Sequence, residues 1–236
     1  MDIVVGANRF KMAEDFFKNN KADVFLLDDG FQHQSLWRDL DVVVIDATNP
    51  WGNGHLIPRG ILREPLSALR RANLLILSKT DTGRDHLPVI KNCLNRKIIH
   101  QPIIETIHEP TALVNLKTQT LRDLSFLSEK KICSFCSIGN PDSFEVTLVN
   151  LGACLDKNFA FLDHHVYTRE DIEGIIRYAR ENDVDIVVTT QKDAVKLNPF
   201  LSLFEGKCTV LSLNIQLTVV RGKDELLDGI HRLLLR

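Results

Sequence analysis

The densest chemistry in this sequence lies in Asp28-Asp29-Gly30-Phe31-Gln32-His33. Two adjacent acids after an apolar run, 24–27, match the arrangement in which a strand-end carboxylate holds Mg2+ beside a nucleotide phosphate. The competing reading is an Asp-Gly turn with solvated acids, which leaves Gln32 and His33 without a reason. A second concentration is the long loop from Asn49 to Pro65, which holds three glycines, three prolines, Arg59, Arg63 and Glu64. Long structured loops in compact domains are usually functional. The guanidinium forks of Arg59 and Arg63 suit phosphate oxygens, and Glu64 can orient an arginine or a metal-bound water. A surface loop with solvated arginines is the plainer alternative.

Three further stretches sit where strands should end. Asp163-His164-His165 can bind a metal, or Asp163 can orient one histidine as a proton-transfer group. Thr189-Thr190-Gln191-Lys192-Asp193 reads as a strand-to-helix junction at which Lys192 meets an anion or is solvated. Ser78-Lys79-Thr80-Asp81 is similar to the [NT]KxD element that reads guanine, with serine breaking its first position. The phosphate-cradling G-x-x-x-x-G-K-[ST] is absent from these residues: Gly206-Lys207 precedes Cys208, and Gly222-Lys223 precedes Asp224. There is also no G-x-S-x-G, H-E-x-x-H or G-x-G-x-x-G. The acids therefore form half of a nucleotide site.

These groups need a frame, and the apolar pattern supplies one. Short runs at 3–5, 24–27, 42–45, 74–77 and 98–100 read as strands in the first half, with 132–135, 160–162, 186–189 and 210–213 in the second. Several are continuously apolar and β-branched, as parallel strands buried on both faces are. Helical patterns lie between them at 9–19, 66–71, 143–151, 169–182 and 224–235, with Thr168 as an N-cap. The alternation predicts an α/β fold of mainly parallel sheets with flanking helices. In open sheets of this kind ligands sit beyond the strand C-termini. The rhythm breaks between 102 and 129, where two short extended pieces and a short helix at 121–127 read as a connecting ribbon. The division expected is 1–101, a ribbon at 102–129, and 130–236.

Composition narrows the classes. With 236 residues, 44% hydrophobic and 25% charged, the chain is globular rather than disordered or fibrous. A net charge of −2 implies no general polyanion-binding surface, so no nucleic-acid partner is expected. Five cysteines in this length point to a reducing compartment. Cys133 and Cys136 form one CxxC inside an apolar run and read as core thiols. No run approaches the roughly 18 apolar residues of a membrane span, and the N-terminus lacks the basic head of a signal peptide.

The run Asp28 to His33, then Gly52-Asn53-Gly54-His55-Leu56-Ile57-Pro58, Arg63-Glu64-Pro65-Leu66, Ile138-Gly139-Asn140-Pro141, Asp163-His164-His165 and Thr189 to Leu197 closely resembles tetraacyldisaccharide 4'-kinase, the lipid A 4'-kinase of Gram-negative bacteria. Order and spacing agree across the whole chain. The resemblance implies a partial P-loop-NTPase-like lobe in 1–101, the rear part of the kinase core, and a second, smaller α/β lobe in 130–236. The family's membrane-associating helix, P-loop and catalytic Asp would precede Met1. It implies ATP and Mg2+ as cofactors, with Asp28 and Asp29 as metal ligands and Gln32 and His33 beside them at the nucleotide. Arg63 and Glu64 would act near the transferred phosphate, and His164, oriented by Asp163, would assist catalysis. Arg9, Arg59 and Asn53 would meet the substrate, tetraacyldisaccharide 1-phosphate. The expected reaction phosphorylates its 4'-hydroxyl from ATP, in the cytoplasm and peripheral to the cytoplasmic face of the inner membrane. A basic patch from Arg59, Arg63, Arg70 and Arg71 would suit a phosphorylated headgroup and that surface. Without a P-loop, the chain alone is expected to be inactive. A non-catalytic nucleotide- or lipid-binding fragment and a GTPase-like protein are the alternatives.

Overall fold

The computed structural model describes residues 2–97 and 99–235. Along the chain it contains α1 (Arg9–Phe17), β1 (Val42–Asp46), β2 (Leu74–Ser78), α2 (Leu87–Arg96), β3 (Ile103–Asn115), β4 (Leu121–Arg122), β5 (Lys131–Cys136), α3 (Pro141–Asn150), β6 (Cys154–Ala160), α4 (Arg169–Glu181), β7 (Ile186–Thr190), α5 (Gln191–Ala194), β8 (Thr209–Arg221) and α6 (Lys223–Leu234). Short 3-10 helices lie at Leu66–Arg71, Arg84–His86, Leu124–Leu127 and Asn198–Phe204. Two compact units result: Met1–Ile107 with Val219–Arg236, and His108–Thr218. The two longest strands, β3 and β8, contribute residues to both. The expected ribbon at 102–129 thus becomes β3, β4 and a 3-10 turn, and the last part of the expected 130–236 domain packs with the first unit.

In the first unit β1 pairs in parallel with β2, Val42 to Leu74 through Asp46 to Ser78, and β2 pairs in parallel with the start of β3. Leu75 and Leu77 point into a core with Ile45, Leu69, Ile90, Leu94 and Ile99. Each fully buried leucine contributes about 1.5–3 kcal/mol of burial free energy. On the other face Leu74 meets α6 at Gly229, where an added Cβ would lie 3.0 Å from Leu74 Cδ1. Gly222, in the left-handed region at φ 80°, turns β8 into α6.

In the second unit β5 lies between β6 and β7, β7 pairs with β8, and all three pairings are parallel. The strands are apolar on both faces because both are covered: Cys133, Phe135, Val187 and Val210 enter one core cluster, Ile132, Cys136, Val188 and Leu211 the other. Helix α4 buries Ile172, Ile175, Ile176 and Ala179, a 3- and 4-residue spacing that forms one stripe. Cys133 and Cys136 are core residues, and burial pushes their thiols up to about 12 and about 11.

The α/β expectation holds, with corrections to single elements. Residues 3–5 and 24–27 are not strands. A strand needs a hydrogen-bonded neighbour, and here Ile3, Val5 and Leu26 are at least 80% exposed. The strand expected at 98–100 begins outside the described residues, and Ile99 and His100 are not extended into one. The helix expected at 121–127 is instead a two-residue strand, β4, paired antiparallel with β3 and followed by a 3-10 turn capped by Asp123. Helix α2 has no counterpart among the expected elements.

Candidate active site

Asp28 and Asp29 lie in a turn rather than at a strand end, and both are exposed. The turn is tight: Gly30 is buried, and a Cβ there would come within 2.4 Å of Leu27 Cδ2. Asp29 is left-handed at φ 48°, which aspartate tolerates better than most residues. Its carboxylate accepts from Arg63 Nη1, so the first acid motif and the long loop meet. Next along that loop Glu64 accepts from Arg71 Nη2, at 2.8 Å on one oxygen and 3.0 Å on the other. The Arg71 guanidinium in turn lies 4.5 Å over the ring of Phe31, which packs on the first unit's core. Two contact chains, Asp29–Arg63 and Glu64–Arg71–Phe31, are thus joined by the peptide bond between Arg63 and Glu64.

Gln32 is exposed. His33 is fixed through its backbone, because its N–H donates to Gly30 O at 2.9 Å and Arg38 donates to its carbonyl. His33 lines an open cavity of about 350 Å3 together with Arg9, Asn8, Ser35 and Leu36. Arg9 is the first residue of α1, capped by Asn8, whose side chain accepts from Lys11 N at 3.1 Å. The structure thus brings together Arg9 and His33, two residues expected to serve substrate and nucleotide.

Other expected residues are spent on the loop itself. Asn53 donates to Arg59 O at 2.7 Å and accepts from His55 N at 3.2 Å. Gly60 leaves no room for a side chain, since a Cβ would sit 2.1 Å from Asn53 Oδ1. Asn53 therefore shapes the loop, and the Arg59 side chain stands exposed. The expected basic patch is thinner than its residue types suggest: Arg63 and Arg71 are ion-paired, and Arg70 is bound to Lys97 O at 2.6 and 3.0 Å.

At the far strand ends of the first unit, Lys79 donates to Asp46 at 2.7 Å and Thr48 donates to the same carboxylate from its N and Oγ1. Burial pushes the Asp46 carboxyl up, but the Lys79 and Thr48 bonds outweigh it and hold it below the usual range. Lys79 of the guanine-like element is thereby committed to an internal ion pair.

In the second unit the two histidines part company. His165 Nε2 lies 2.9 Å from Asp171 Oδ2, and its ring stacks on Phe161 with centroids 4.8 Å apart. Asp171 also closes the capping box with Thr168 at the start of α4. His165 is therefore built into the framework. His164 is left-handed at φ 61°, 78% exposed in its side chain, and directed at Asp163 with Nε2 3.8 Å from Oδ2. Asp163 is also held by Lys192, whose Nζ is 3.0 Å from Oδ1. That bond, first among its interactions, keeps the Asp163 carboxyl below the usual range.

Beneath these groups the Thr189 to Leu197 motif builds a polar network with Ser137, a role its spacing alone did not announce. Asp193, fully buried, accepts from Ser137 N at 2.9 Å, Ser137 Oγ, Thr190 Oγ1 at 2.8 Å and Lys196 at 2.9 Å. Lys196 also reaches Ser137 Oγ at 2.6 Å and His165 O at 3.3 Å. Thr190-x-x-Asp193 has the capping-box spacing that could have revealed Asp193; Ser137, distant in sequence, carried no such signal.

Among the described residues no group of three or more His, Cys, Asp or Glu could hold a metal by itself. Two carboxylates are nonetheless what Mg2+ usually takes from protein when nucleotide phosphates supply the remaining oxygens. By residue type Asp28 and Asp29 match that donor set, with Asp29 Oδ2 engaged by Arg63.

The profile of LpxK, tetraacyldisaccharide-1-P 4'-kinase, matches residues 1–233. The chain belongs to the tetraacyldisaccharide-1-P 4'-kinase family. A tetraacyldisaccharide 4'-kinase of Anaeromyxobacter dehalogenans is 40% identical over 227 residues, covering 96% of this chain and 58% of that one. One from Syntrophus aciditrophicus is 37% identical over 221 residues, covering 87% and 57%. The structure is similar to LpxK from Aquifex aeolicus crystallised with ATP, with a TM-score of 0.63, 26% identity, and coverage of 95% and 62%. This LpxK-family chain thus spans about three fifths of the length of these relatives. No helix among its described residues is long and apolar enough to cross a membrane.

Proposed function

We propose that this chain carries part of the active site for phosphorylating the 4'-hydroxyl of tetraacyldisaccharide 1-phosphate from ATP. The match across residues 1–233 carries the reading, and the Asp29–Arg63 contact supports it by joining the acid motif to the arginine loop. Asp28 and Asp29 would hold Mg2+, which supplies charge neutralisation at the β- and γ-phosphates. Arg63 presents its guanidinium at that same turn, where it can exchange Asp29 for a phosphate oxygen. Arg71, braced on Phe31, fixes Glu64 beside it. Gln32 and His33 flank the nucleotide, and Arg9, sharing a cavity with His33, binds an anionic group of the substrate. His164 handles the proton of the attacking hydroxyl. The protein acts in the cytoplasm at the cytoplasmic face of the inner membrane, where its lipid substrate resides.

The test is nuclear magnetic resonance titration of the 15N-labelled chain with Mg·ATP. Shifts should concentrate on residues 28–33 and 63–64 and be lost in Asp28→Asn/Asp29→Asn. Shifts confined elsewhere, or an equal lack of response to ATP and GTP, would overturn the nucleotide reading. A response to GTP alone, centred on Ser78–Asp81, would favour a GTPase-like protein.

A further inference from the structure

Lys192 and Lys196 stand four residues apart, in α5 and just beyond it, and they hold different things. Lys196 is tied to Ser137 Oγ, Asp193 and the His165 carbonyl, so it secures backbone and core. Lys192 reaches into the exposed loop after β6, where its Nζ meets Asp163 Oδ1 at 3.0 Å. That same oxygen accepts the His164 backbone N–H at 3.0 Å. The other oxygen, Oδ2, is the one turned toward His164 Nε2, 3.8 Å away. Gly139 borders the carboxylate without crowding it, since a Cβ there would lie 3.7 Å from Oδ2.

From this geometry we infer that Lys192 is a positioning residue for His164, acting through Asp163. An exposed carboxylate with one partner rotates freely about its side-chain torsions. With Lys192 and the His164 amide both on Oδ1, its plane is set and Oδ2 is left aimed at the imidazole. The same two bonds favour the left-handed backbone of His164, a conformation uncommon for histidine. The His164 N–H has a second, longer acceptor in Ser137 O at 3.4 Å, so the loop itself is anchored without Lys192. Lys192 therefore acts on the local turn at His164, on its φ and on the carboxylate that faces its ring, while that longer bond keeps the rest of the loop in place. Its importance for phosphoryl transfer rests on the role proposed above for His164.

Among the described residues the charged group paired with His164 is Asp163, which Lys192 from α5 engages in turn. Because the Lys192–Asp163 pair is nearly half exposed on both sides, its loss should leave global stability almost unchanged. The experiment compares the chain with Lys192→Met, Lys192→Arg and Asp163→Asn by heteronuclear resonance spectroscopy. In Lys192→Met the thermal midpoint should hold while exchange of the His164 amide proton becomes about tenfold faster. The three-bond amide coupling of His164 should also leave its left-handed value. Lys192→Arg should restore both, and Asp163→Asn should reproduce the Lys192→Met result. Unchanged exchange and coupling in Lys192→Met, or failure of arginine to rescue them, would overturn the assignment. These readouts need neither ATP nor lipid, so a failed nucleotide titration would sink the functional reading and leave this one standing.

Discussion

Asp193 shows how a residue with no role in the motif chemistry can decide whether the motif is presented at all. Its carboxylate is buried, which alone would raise its pKa, yet the bonds from Ser137, Lys196 and Thr190 outweigh burial and hold it down. A folded-state pKa below the unfolded value means that the unfolded chain binds the extra proton. The stabilisation is therefore complete above the unfolded value, near 3.8, and is lost as pH falls through the lower folded one. Asp46 and Asp171 act in the same direction. The melting temperature should consequently fall steeply below about pH 4, and Asp193→Asn should flatten that slope while lowering stability at neutral pH. Removing the carboxylate altogether, in Asp193→Ala, leaves Lys196 without its buried partner and should cost on the order of 3 kcal/mol in urea unfolding. A loss within experimental error of zero would show that the network is not coupled to folding.

Elements are held by their ends as much as by their faces. Helix α4 begins at a reciprocal capping box, with Thr168 Oγ1 accepting from Asp171 N at 3.2 Å and Asp171 accepting from Thr168 N at 2.8 Å. Thr168→Ala should lower stability by about 1 kcal/mol and loosen His165, which leans on the same aspartate. At the other end of the chain Gly222 turns β8 into α6 with a positive φ, and a Cβ there would lie 2.8 Å from Ile103 O. Gly222→Ala should therefore destabilise by more than the roughly 1 kcal/mol of an ordinary left-handed alanine, read from the denaturation midpoint. If that midpoint does not move, the β8–α6 junction is not under the constraint described. The turn at Asp28 and Asp29 is an element of a different kind, fixed by Gly30 packing and by Arg63 rather than by a sheet. Arg63→Ala should weaken Mg·ATP binding even though Arg63 competes for Asp29, because the loop and the turn lose their only direct ion pair among the described residues.

For the molecule as a whole, the prediction concerns turnover. Phosphoryl transfer is positioning plus charge neutralisation, and the 236 residues contain no glycine-rich cradle with its lysine for the β- and γ-phosphates. Removing parts that act as a unit generally costs orders of magnitude. The purified polypeptide should therefore bind Mg·ATP weakly and transfer no measurable label from γ-labelled ATP to the tetraacylated disaccharide monophosphate in detergent. Clear turnover that Asp29→Ala abolishes would show that some other group in this chain cradles the phosphates.

What the sequence determined by itself was class and family. A continuous β-branched run such as Ile186 to Val188 can be buried on both faces only between layers of helices, and six ordered motifs identified the kinase family. The stripe of α4 and its threonine cap were equally legible, because both are set by neighbours within four residues. What only the tertiary structure decided were the questions of partnership. The runs at 3–5 and 24–27 have strand composition, but no neighbouring backbone pairs with them, so composition alone misplaced them. Asp163-His164-His165 offered two interchangeable histidines; Asp171, six residues on, and Lys192, from another strand end, assigned one to the frame and left the other exposed. The joining of Asp29 to Arg63 and of Ser137 to Asp193 likewise spans 34 and 56 positions. Hydrogen bonds and ion pairs act over about 3 Å of space, and spacing in sequence reveals them only where a helix turn or a tight loop makes the two distances the same.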